Sequence, residues 1–392
     1  MKILVVLPRF PYPLEKGDKL RAYHQIVELA KTNEIHLFAV SHTKVTPEQR
    51  QALQPYCASI DVVHPTKFTA WFNTLRNGLR AKSLQMGYWD SARARKAVRN
   101  LVRTLQPDVV YNQMIRTVPL VARLNVTKVM DFQDALSLNT ERRMEHSRGL
   151  MRSVLHYEFK MLRSTEYNAF RIFDALTIIA SADADAIPHQ RSGEIHIIPN
   201  GVDLDYFTPD VVEAKDNDVV FCGNLQYKPN IDAAQFLVRE VMPVVWRQRP
   251  DTHLIIAGAT PKSAVRQLAS PNVEVVGSVP DIRLYYRRSR VFIAPMRIGS
   301  GLQNKILEAM ATGVPCVTTP IANLAIGATP GTQLLIGEKP DELASHIISL
   351  LSDSNFAHSL AGNASQFVRT RFSWPAAVQP LQQIFDGLLE SK

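Results

Sequence analysis

The sequence contains 392 residues, of which 46% are hydrophobic and 21% are charged. This length and composition predict a globular chain of two domains, each long enough to bury a core of its own. No apolar run approaches the ~20 residues that a membrane-spanning helix needs, and the run before Pro8 is too short for a signal peptide. The three cysteines, Cys57, Cys222 and Cys316, lack metal-ligand spacing, which favours a cytoplasmic location.

The formal net charge of +9 is unevenly distributed along the chain. Residues 1–195 contain 28 Lys and Arg against 18 Asp and Glu, whereas residues 196–392 contain 17 against 18. The excess in the first half predicts an anionic partner there: a membrane surface, a pyrophosphate-linked lipid or nucleic acid. A surface that only confers solubility is the alternative.

The first half begins with a pattern of strand, helix and strand. Lys2–Leu7 and Glu34–Val40 read as strands, and a helix with apolar residues at helical spacing follows Gly17. The G-x-G-x-x-G motif of dinucleotide-binding folds is absent from the first turn, and no P-loop motif occurs. Gly17 predicts either a close approach of backbone to a ligand, with Lys19 and Arg21 nearby, or an ordinary turn.

Residues 67–103 combine aromatic and basic side chains. Trp71, Phe72, Tyr88 and Trp89 alternate with arginines and lysines in this segment. Such a composition is typical of helices at a lipid interface, and it also suits single-stranded nucleic acid. The third interpretation is two ordinary amphipathic helices with arginines directed to solvent. We favour the lipid interface. We therefore expect an anionic membrane surface as a partner and no binding of nucleic acid.

Two acids lie where a predicted strand over Thr127–Phe132 ends. Asp131 and Asp134 would lie at the carboxyl end of a parallel strand, where ligands bind in such sheets. They are candidates for contacts with sugar hydroxyls or for a general base, and the alternative is that they cap the following segment. A later D-x-D at residues 183–185 resembles a metal-binding pair, but its place at a predicted helix start favours an N-cap, and we predict no metal site.

The second half repeats the alternation of strand and helix. The domain boundary is expected between residues 182 and 210, which gives an N-terminal domain of residues 1–190, a C-terminal domain of residues 191–372 and a terminal helix of residues 373–392. The main predicted elements are a helical region over Leu138–Ile172, strands at Val219–Cys222, His253–Ala257 and Val273–Val276, and helices over Ile231–Arg249 and Arg371–Leu389.

Val291–Thr319 contains the clearest candidate for a site. A short buried strand is followed by a loop with glycines on both sides of Ser300, and then by an amphipathic helix with Leu302 on its apolar face. A glycine-containing loop before a helix leaves N–H groups at the positive end of the helix dipole, where phosphate binds. Lys305 suits a diphosphate and Glu308 suits ribose hydroxyls. The alternative is an ordinary strand–loop–helix with a solvated Lys–Glu pair.

Three motifs of the second half occur together in this chain: Pro199-Asn200-Gly201-Val202-Asp203, Gly223-x-Leu225, and Gly301-x-x-x-Lys305-x-Leu307-Glu308-Ala309-Met310-Ala311-x-Gly313-x-Pro315. Their combination closely resembles the retaining glycosyltransferases of family 4, and Pro11–Arg21 with the D-x-x-D pair resembles a bacterial exopolysaccharide subgroup. The resemblance covers most of the chain. It implies an α/β fold, GT-B, in which two Rossmann-like parallel-sheet domains face each other across a cleft and a C-terminal helix crosses back to the N-terminal domain.

The resemblance also implies that a nucleoside-diphosphate sugar, linked to UDP or GDP, binds mainly to the second domain, with Glu308 on the ribose. The predicted donor-binding residues are Gly17, Gly223, Asn224, Ser300, Gly301, Leu302, Lys305 and Glu308. The predicted catalytic residues are Lys305, Lys228 and Asp134, and the predicted acceptor side comprises Lys19, Arg21 and Asp131.

The chain departs from the family pattern at three places. Ser300 stands where the family often has a carboxylate that contacts the donor sugar. Asn224 replaces the usual arginine, and Lys228 is one residue from the register of the usual lysine. Gln133 precedes Asp134 where the family has a histidine. These departures leave the diphosphate to Lys305, Lys228 and the helix start, and they argue against a side-chain nucleophile.

The chemistry of the bond to be broken suggests how such a site works. Cleavage between the anomeric carbon and phosphate builds charge on the diphosphate, which lysines and a helix dipole neutralise without a metal. We therefore expect metal-independent and cofactor-free transfer, with retention, to a lipid-linked or polysaccharide glycan, by a cytoplasmic chain peripheral to the membrane. The alternatives are a nucleotide-sugar epimerase of the same fold and a non-catalytic scaffold in a membrane-bound glycan assembly complex.

Overall fold

The computed structural model describes residues 1–145, 147–209, 215–299 and 301–390. The chain forms two compact units. Unit 1 consists of residues 1–199 with the C-terminal segment from Ala377, and unit 2 consists of residues 200–376. Each unit is built on one parallel β-sheet with helices between its strands, so the predicted α/β class is confirmed.

The sheet of unit 1 has the strand order β3-β2-β1-β4-β5-β6-β7. Its strands are β1 (Lys2–Leu7), β2 (Glu34–Val40), β3 (Ser59–Val63), β4 (Val109–Gln113), β5 (Thr127–Asp131), β6 (Ala175–Ile178) and β7 (His196–Ile197). The order changes direction between β1 and β4, which pair in parallel. The loops that follow these two strands therefore lie on either side of a crevice at the carboxyl edge of the sheet, where ligands bind in such folds.

The helices of unit 1 connect these strands. They are α1 (Gly17–Leu29), α2 (Pro47–Gln51), α3 (Lys67–Leu79), α4 (Leu84–Trp89), α5 (Ala92–Leu105), α6 (Val118–Val121), α7 (Leu136–Glu145), α8 (Gly149–Ile172) and α9 (Ser181–Ala186). No described helix combines the length and the apolar content needed to cross a membrane.

The sheet of unit 2 has the order β10-β9-β8-β11-β12-β13. Its strands are β8 (Asn217–Cys222), β9 (Leu254–Ala257), β10 (Val273–Val276), β11 (Ser289–Ala294), β12 (Cys316–Thr318) and β13 (Leu335–Ile336). The order changes direction between β8 and β11, as it does between β1 and β4. The helices of unit 2 are α10 (Lys228–Phe236), α11 (Met242–Gln248), α12 (Ser263–Arg266), α13 (Arg283–Arg287), α14 (Asn304–Ala311), α15 (Pro320–Asn323), α16 (Pro340–Ser352) and α17 (Ser354–Arg371).

The last helix, α18 (Trp374–Glu390), packs mainly on unit 1. The ring of Phe385 lies 5.4 Å from the ring of Tyr111 on β4. The Asn33 amide donates a hydrogen bond of 2.7 Å to Gln382. The predicted return of the C-terminal helix to the N-terminal part of the chain is therefore confirmed.

Several predicted bounds were wrong. The helical region over Leu138–Ile172 is two helices, because the φ of +56° at Gly149 is incompatible with a continuous helix. The helix expected from Ile231 begins at Lys228, with Pro229 in its first turn, where a missing N–H costs nothing. Leu302 precedes α14 rather than lying on its apolar face. β3 and β13 were not predicted.

Candidate functional site

Two helices of unit 2 begin at the crevice between its central strands. α10 follows β8 and α14 follows β11, and these strands are neighbours in the sheet. In a parallel sheet the helix after each strand begins near the carboxyl edge, so both positive helix ends lie on the side where Gly223 and Gly301 precede them. No side chain caps the first turn of α14, whose N-cap residue is Gln303. This arrangement suits an anion.

The Lys305 ammonium lies in the first turn of α14, and its direct contacts are neutral groups. Nζ donates to Asn230 Oδ1 at 2.5 Å, contacts Met296 Sδ at 3.3 Å and lies 5.1 Å from the centre of the Phe221 ring. Removal from water lowers the pKa of Lys305 to about 8. Among the residues that the structure describes, Lys305 has no ion pair with a carboxylate. The nearby Glu308 carboxylate forms no ion pair with Lys305 within the described ranges, and its charge raises the pKa of Lys305 by less than burial lowers it. A partly dehydrated cation whose direct contacts are all neutral favours a bound anion.

Asn230 connects Lys305 to the loop after β8. Its Nδ2 donates to the carbonyl of Asn224 at 3.0 Å, while its Oδ1 accepts from Lys305. A Cβ at Gly223 would lie 2.8 Å from Asn230 Nδ2, so a side chain there would displace the amide. Gly258, with φ +153°, packs still more closely, because its Cβ would lie 1.7 Å from the Gly223 carbonyl oxygen. These glycines allow the close packing that positions the lysine.

Glu308 lies one turn after Lys305 and accepts a hydrogen bond of 3.1 Å from Tyr286 Oη. Burial raises the pKa of Glu308, and the hydrogen bond from Tyr286 and the charge of Lys305 act in the opposite direction. Within the described ranges no cation forms an ion pair with this carboxylate. Its remaining acceptor positions therefore suit uncharged hydroxyl groups.

The other predicted donor residues form the surrounding loops. The Asn224 side chain accepts from the Gln226 N–H at 3.0 Å and shapes the turn before α10. Leu302 packs against the apolar core of unit 2. Lys228 is exposed at the start of α10, and a Cβ at Gly301 would meet no atom within 4 Å. Ser300 lies outside the described residues.

Unit 1 contains a buried ion pair between two of the predicted acceptor-side residues. Arg21 Nε donates to Asp131 Oδ2 at 2.7 Å, and both side chains are 0% exposed. Asp131 also accepts from Tyr111 Oη at 2.9 Å and from the Gln133 N–H at 3.0 Å. Removing one partner of such a pair typically costs ~3–5 kcal/mol. Any effect of these two residues on an acceptor would therefore be indirect, through the position of their neighbours.

Gln133 occupies the position where the resemblance implies a histidine. It is buried, has φ +65°, and its Nε2 donates to Gln113 at 3.3 Å. Asp134, which follows it, is exposed. Partial removal from water, with the nearby Asp183 carboxylate, raises the pKa of Asp134 to about 6. Asp134 can thus gain and lose a proton near neutral pH, as a general base requires.

A small pocket at the carboxyl edge of unit 1 is bordered by Lys19 and Gln133. Lys19 Nζ donates to the carbonyl of Tyr12 at 3.4 Å, and burial lowers the pKa of Lys19. Gly17 begins α1, and a Cβ built on it would meet no atom within 4 Å. The packing therefore does not require glycine at position 17, and its predicted contact with the donor stays a prediction.

Two arginines at this edge were missed by sequence reasoning. Arg9 follows β1 and Arg116 follows β4, and their guanidinium carbons lie 6.0 and 5.0 Å from the centre of the Trp89 ring. Arg9 is paired with Asp18 at 2.7 Å. Burial and the charge of Arg9 lower the pKa of Arg116 to about 10. Their positions directly after the two central strands were the available signal.

The Pro199–Asp203 motif has a structural role. A Cβ at Gly201 would lie 2.6 Å from the ring of Trp374, and the Val202 N–H donates to the carbonyl of Phe372 at 2.6 Å. The motif thus joins the entry of unit 2 to the end of its last helix, which explains the glycine. The D-x-D acid Asp183 accepts from the Ala135 N–H at 3.5 Å. The described residues contain no cluster of three His, Cys, Asp or Glu arranged to hold a metal ion.

Comparison with known proteins matches part of unit 2 to one family model. Residues 216–353 match the family model described as Glycosyl transferases group 1. The chain is 22% identical over 390 residues to an uncharacterized 44.6 kDa protein in the cps region of Klebsiella pneumoniae, covering 95% of this chain and 96% of the relative. It is 24% identical over 272 residues to the lipopolysaccharide core biosynthesis mannosyltransferase LpcC of Rhizobium leguminosarum bv. viciae, covering 61% and 74% of the two chains.

The fold has close counterparts among solved structures. The Anabaena protein Alr3699/HepE, solved in complex with UDP and glucose, superposes with a TM-score of 0.68 at 17% identity over 99% of this chain and 100% of that one. This similarity extends the assignment of fold to both units. Residues 216–353 thus resemble the group 1 glycosyltransferases, and the chain has the GT-B fold.

Proposed function

We propose that this chain transfers a sugar from a nucleoside-diphosphate sugar to an acceptor hydroxyl, with retention and without a metal ion. The observation that carries the proposal is the Lys305 ammonium at the start of α14, whose direct contacts among the described residues are all neutral and which forms no ion pair there with the nearby Glu308. A diphosphate would complete its surroundings. Glu308, one turn later, would accept hydrogen bonds from the ribose hydroxyls of the same nucleotide.

UDP is the first nucleotide to consider. The structure of HepE was solved with UDP and glucose, and its fold matches this chain. GDP is the second candidate because a mannosyltransferase is among the relatives. We assign the donor to unit 2, where Lys305, Glu308 and the starts of α10 and α14 occur together.

The reaction follows from the charge that develops. The bond between the anomeric carbon and the diphosphate oxygen breaks, and its electron pair remains on the diphosphate. The acceptor oxygen bonds to the same face of the sugar, and its proton passes to the departing diphosphate. Lys305, Lys228 and the positive end of α14 would neutralise the anion, so no metal ion is needed.

The acceptor is proposed to be a glycan or a lipid-linked saccharide, and we assign it to unit 1. The names of two relatives, one in a cps region and one in lipopolysaccharide core biosynthesis, support a role in cell-envelope polysaccharide synthesis. Arg116 and Lys19, with Arg9 that is paired with Asp18, make the carboxyl edge of unit 1 positive, which suits a phosphate-bearing acceptor. Asp134 is the candidate for contact with the acceptor hydroxyl. A peripheral cytoplasmic position agrees with such an acceptor.

Lys305→Gln tests the proposal directly. It removes the charge but keeps a hydrogen-bond donor for Asn230, so the fold should be retained. Sugar transfer from UDP- and GDP-sugars to lipid-linked saccharide should fall by about 10²–10³-fold, as for the loss of one group that stabilises developing charge. Lys339→Gln, an exposed lysine of the same unit, is the matched control and should transfer sugar at the wild-type rate.

Three results would contradict the proposal. Turnover by Lys305→Gln within twofold of wild type would remove the assigned role of the lysine. Epimerisation of the donor sugar without an acceptor would favour an epimerase. Nucleotide binding without transfer or epimerisation would favour a scaffold. The anomeric configuration of the product, followed by NMR, distinguishes retention from inversion.

A further inference from the structure

Helix α3 exposes its apolar side to solvent. Five large apolar side chains recur at helical spacing and form one stripe, and each residue is between 57% and 82% exposed: Phe68, Trp71, Phe72, Leu75 and Leu79. In a water-soluble helix the apolar stripe normally faces the core. Here the residues buried on the opposite side are Ala70, Asn73 and Asn77, so the usual orientation is inverted.

The inverted orientation is held by specific contacts. Asn73 Nδ2 donates to the carbonyl of Asp90 at 2.8 Å, and Asn77 Nδ2 donates to the carbonyl of Ser83 at 3.2 Å. A Cβ at Gly87 would lie 2.8 Å from the Asn73 carbonyl oxygen, so α3 and α4 pack backbone to backbone. Turning the apolar stripe inward would break both amide hydrogen bonds and bury unpaired polar groups.

The beginning of α8 extends this apolar surface. Leu150, Met151 and Val154 are 40–81% exposed and share one face of that helix. The next turn of α8 is tied to the end of α3, because Tyr157 Oη donates to the carbonyls of Gly78 at 3.2 Å and Lys82 at 2.9 Å. The first turns of α8 are therefore joined to the end of α3. We call these eight residues, Phe68, Trp71, Phe72, Leu75, Leu79, Leu150, Met151 and Val154, the apolar face.

The charges around the apolar face have one sign. Residues 66–82 contain Lys67, Arg76, Arg80 and Lys82 and no Asp or Glu. Residues 148–157 contain two further arginines and no acid. The next acid, Glu158, is buried, and its carboxylate accepts from Ser83 Oγ at 2.6 Å and from the Leu84 N–H at 2.7 Å. A partner that fits this surface therefore offers an apolar region to the exposed side chains and negative groups to the surrounding lysines and arginines.

We propose that the apolar face docks on the surface of a lipid bilayer that contains anionic phospholipid. Aromatic and aliphatic side chains enter the boundary between head groups and acyl chains, and the surrounding lysines and arginines contact the negative head groups. α3 has 13 residues and is thus about 20 Å long, so it lies in the membrane plane. A second copy of the chain fits less well, because two such faces would bring like charges together. The inference does not depend on the proposed reaction.

The structure also revises the extent of the predicted interface. The sequence indicated residues 67–103, but α5 buries Ala94 and Val98 in the ordinary amphipathic manner. Asn73 and Asn77 hold α3 against α4, whereas α8 contributes three residues from a segment that the sequence did not single out. The docking surface therefore comprises α3 and the first turns of α8.

The test is sedimentation of the full chain with vesicles of phosphatidylcholine, with and without phosphatidylglycerol, at low salt. The wild type should bind the vesicles with phosphatidylglycerol and release as salt increases. The double variant Trp71→Gln and Leu75→Gln should reduce the partition coefficient by at least about tenfold, since it removes two apolar side chains that enter the bilayer on docking. Arg80→Gln with Lys82→Gln should reduce it by about tenfold or more for anionic vesicles only.

Leu324→Gln is the matched control, because Leu324 is 69% exposed in unit 2, away from the apolar face in sequence. It should bind vesicles as the wild type does. Trp71→Phe should keep binding but lose the blue shift of tryptophan fluorescence that accompanies insertion. Circular dichroism confirms that each variant is folded.

Three outcomes overturn the inference. The wild type does not bind anionic vesicles at low salt, the Trp71/Leu75 variant binds as well as the wild type, or the wild type forms a dimer in solution that this variant abolishes. The last result would assign the apolar face to a second copy of the chain.

Discussion

Arg21 is a buried cation and Lys305 a half-buried one, and their surroundings are opposite. The Arg21 guanidinium lies 2.7 Å from the Asp131 carboxylate, and neither side chain is exposed. Lys305 contacts an amide, a thioether and an aromatic ring. The first charge is already neutralised inside the protein, so its contribution is structural. The charge of Lys305 has no such partner among its direct contacts, so a bound anion would neutralise it. This difference identifies Lys305 as a candidate binding residue and Arg21 as a structural one.

Asp134 gives a prediction that depends on pH. Its pKa is about 6 in the folded chain against an ordinary 3.8, so the folded state holds the proton more tightly than the unfolded state. Stability therefore declines as pH rises from about 4 to about 6 and stays lowered above that range. Asp134→Asn removes this cost and should raise the thermal midpoint at pH 7.5 by about 1–3 °C, a modest amount because the side chain is exposed.

The difference between Asp134→Asn and wild type should shrink as the pH falls below 6 and disappear near pH 4. Asp185→Asn, at an exposed acid on α9, is the control and should show no such trend. A constant difference across the pH range, or a lower midpoint at pH 7.5, would show that the Asp134 carboxylate is not destabilised in the folded chain.

At the scale of elements, Asn230 connects the first turns of helices α10 and α14. This residue lies in the first turn of α10, is buried, and holds the lysine of α14 while it binds the loop after β8. The geometry depends on two glycines at the ends of β8 and β9, Gly223 and Gly258, whose backbones approach too closely for any side chain.

Gly223→Ala tests this coupling. The new methyl group would lie 2.8 Å from Asn230 Nδ2, so the amide must move and Lys305 loses its fixed position. We expect the affinity for a nucleoside diphosphate to fall by about tenfold, measured by calorimetry, since a hydrogen bond to a charged group contributes ~1.5–3 kcal/mol. Gly362→Ala, at a helical position with no atom within 4 Å of the new methyl, is the control. Unchanged affinity in folded Gly223→Ala would mean that Asn230 does not position the lysine.

At the scale of the whole molecule, chemistry and charge are divided between the two halves of the sequence. The excess of positive charge belongs to residues 1–195, whereas residues 196–392 are nearly neutral. The two sheets have the same kind of topology, because the strand order of each changes direction between its two central strands. The basic half matches the proposed acceptor and membrane partners, and the neutral half contains the proposed donor site.

Nucleotide binding should be visible in the stability of the full chain. A nucleoside diphosphate at about 100 times its dissociation constant adds ~2.7 kcal/mol to the free energy of unfolding, if it binds only the folded chain. We expect UDP or GDP to raise the thermal midpoint, and we expect the rise to persist in EDTA, with ADP and CMP as comparisons. A shift that EDTA abolishes would contradict metal-independent binding, and no shift with any of these nucleotides would contradict the donor site.

Sequence alone determined the order of most strands and helices. β1, β2 and β10 begin and end where their apolar patterns predict, because a strand buried in a parallel sheet needs a short apolar run that turn residues interrupt. The chemical character of the Lys305–Glu308 segment was also evident, since residue types at helical spacing and glycines before a helix are local features.

Only the tertiary structure decided what each side chain faces. Arg21 and Asp131 are 110 positions apart and form a buried pair, and Asn230 reaches Lys305 across 75 positions. The aromatic stripe of α3 was visible in the sequence, but its exposure was not, because helical periodicity identifies a face without saying whether the protein or the solvent covers it. Whether a helix face is buried depends on the segments that pack against it, and these are distant in the sequence.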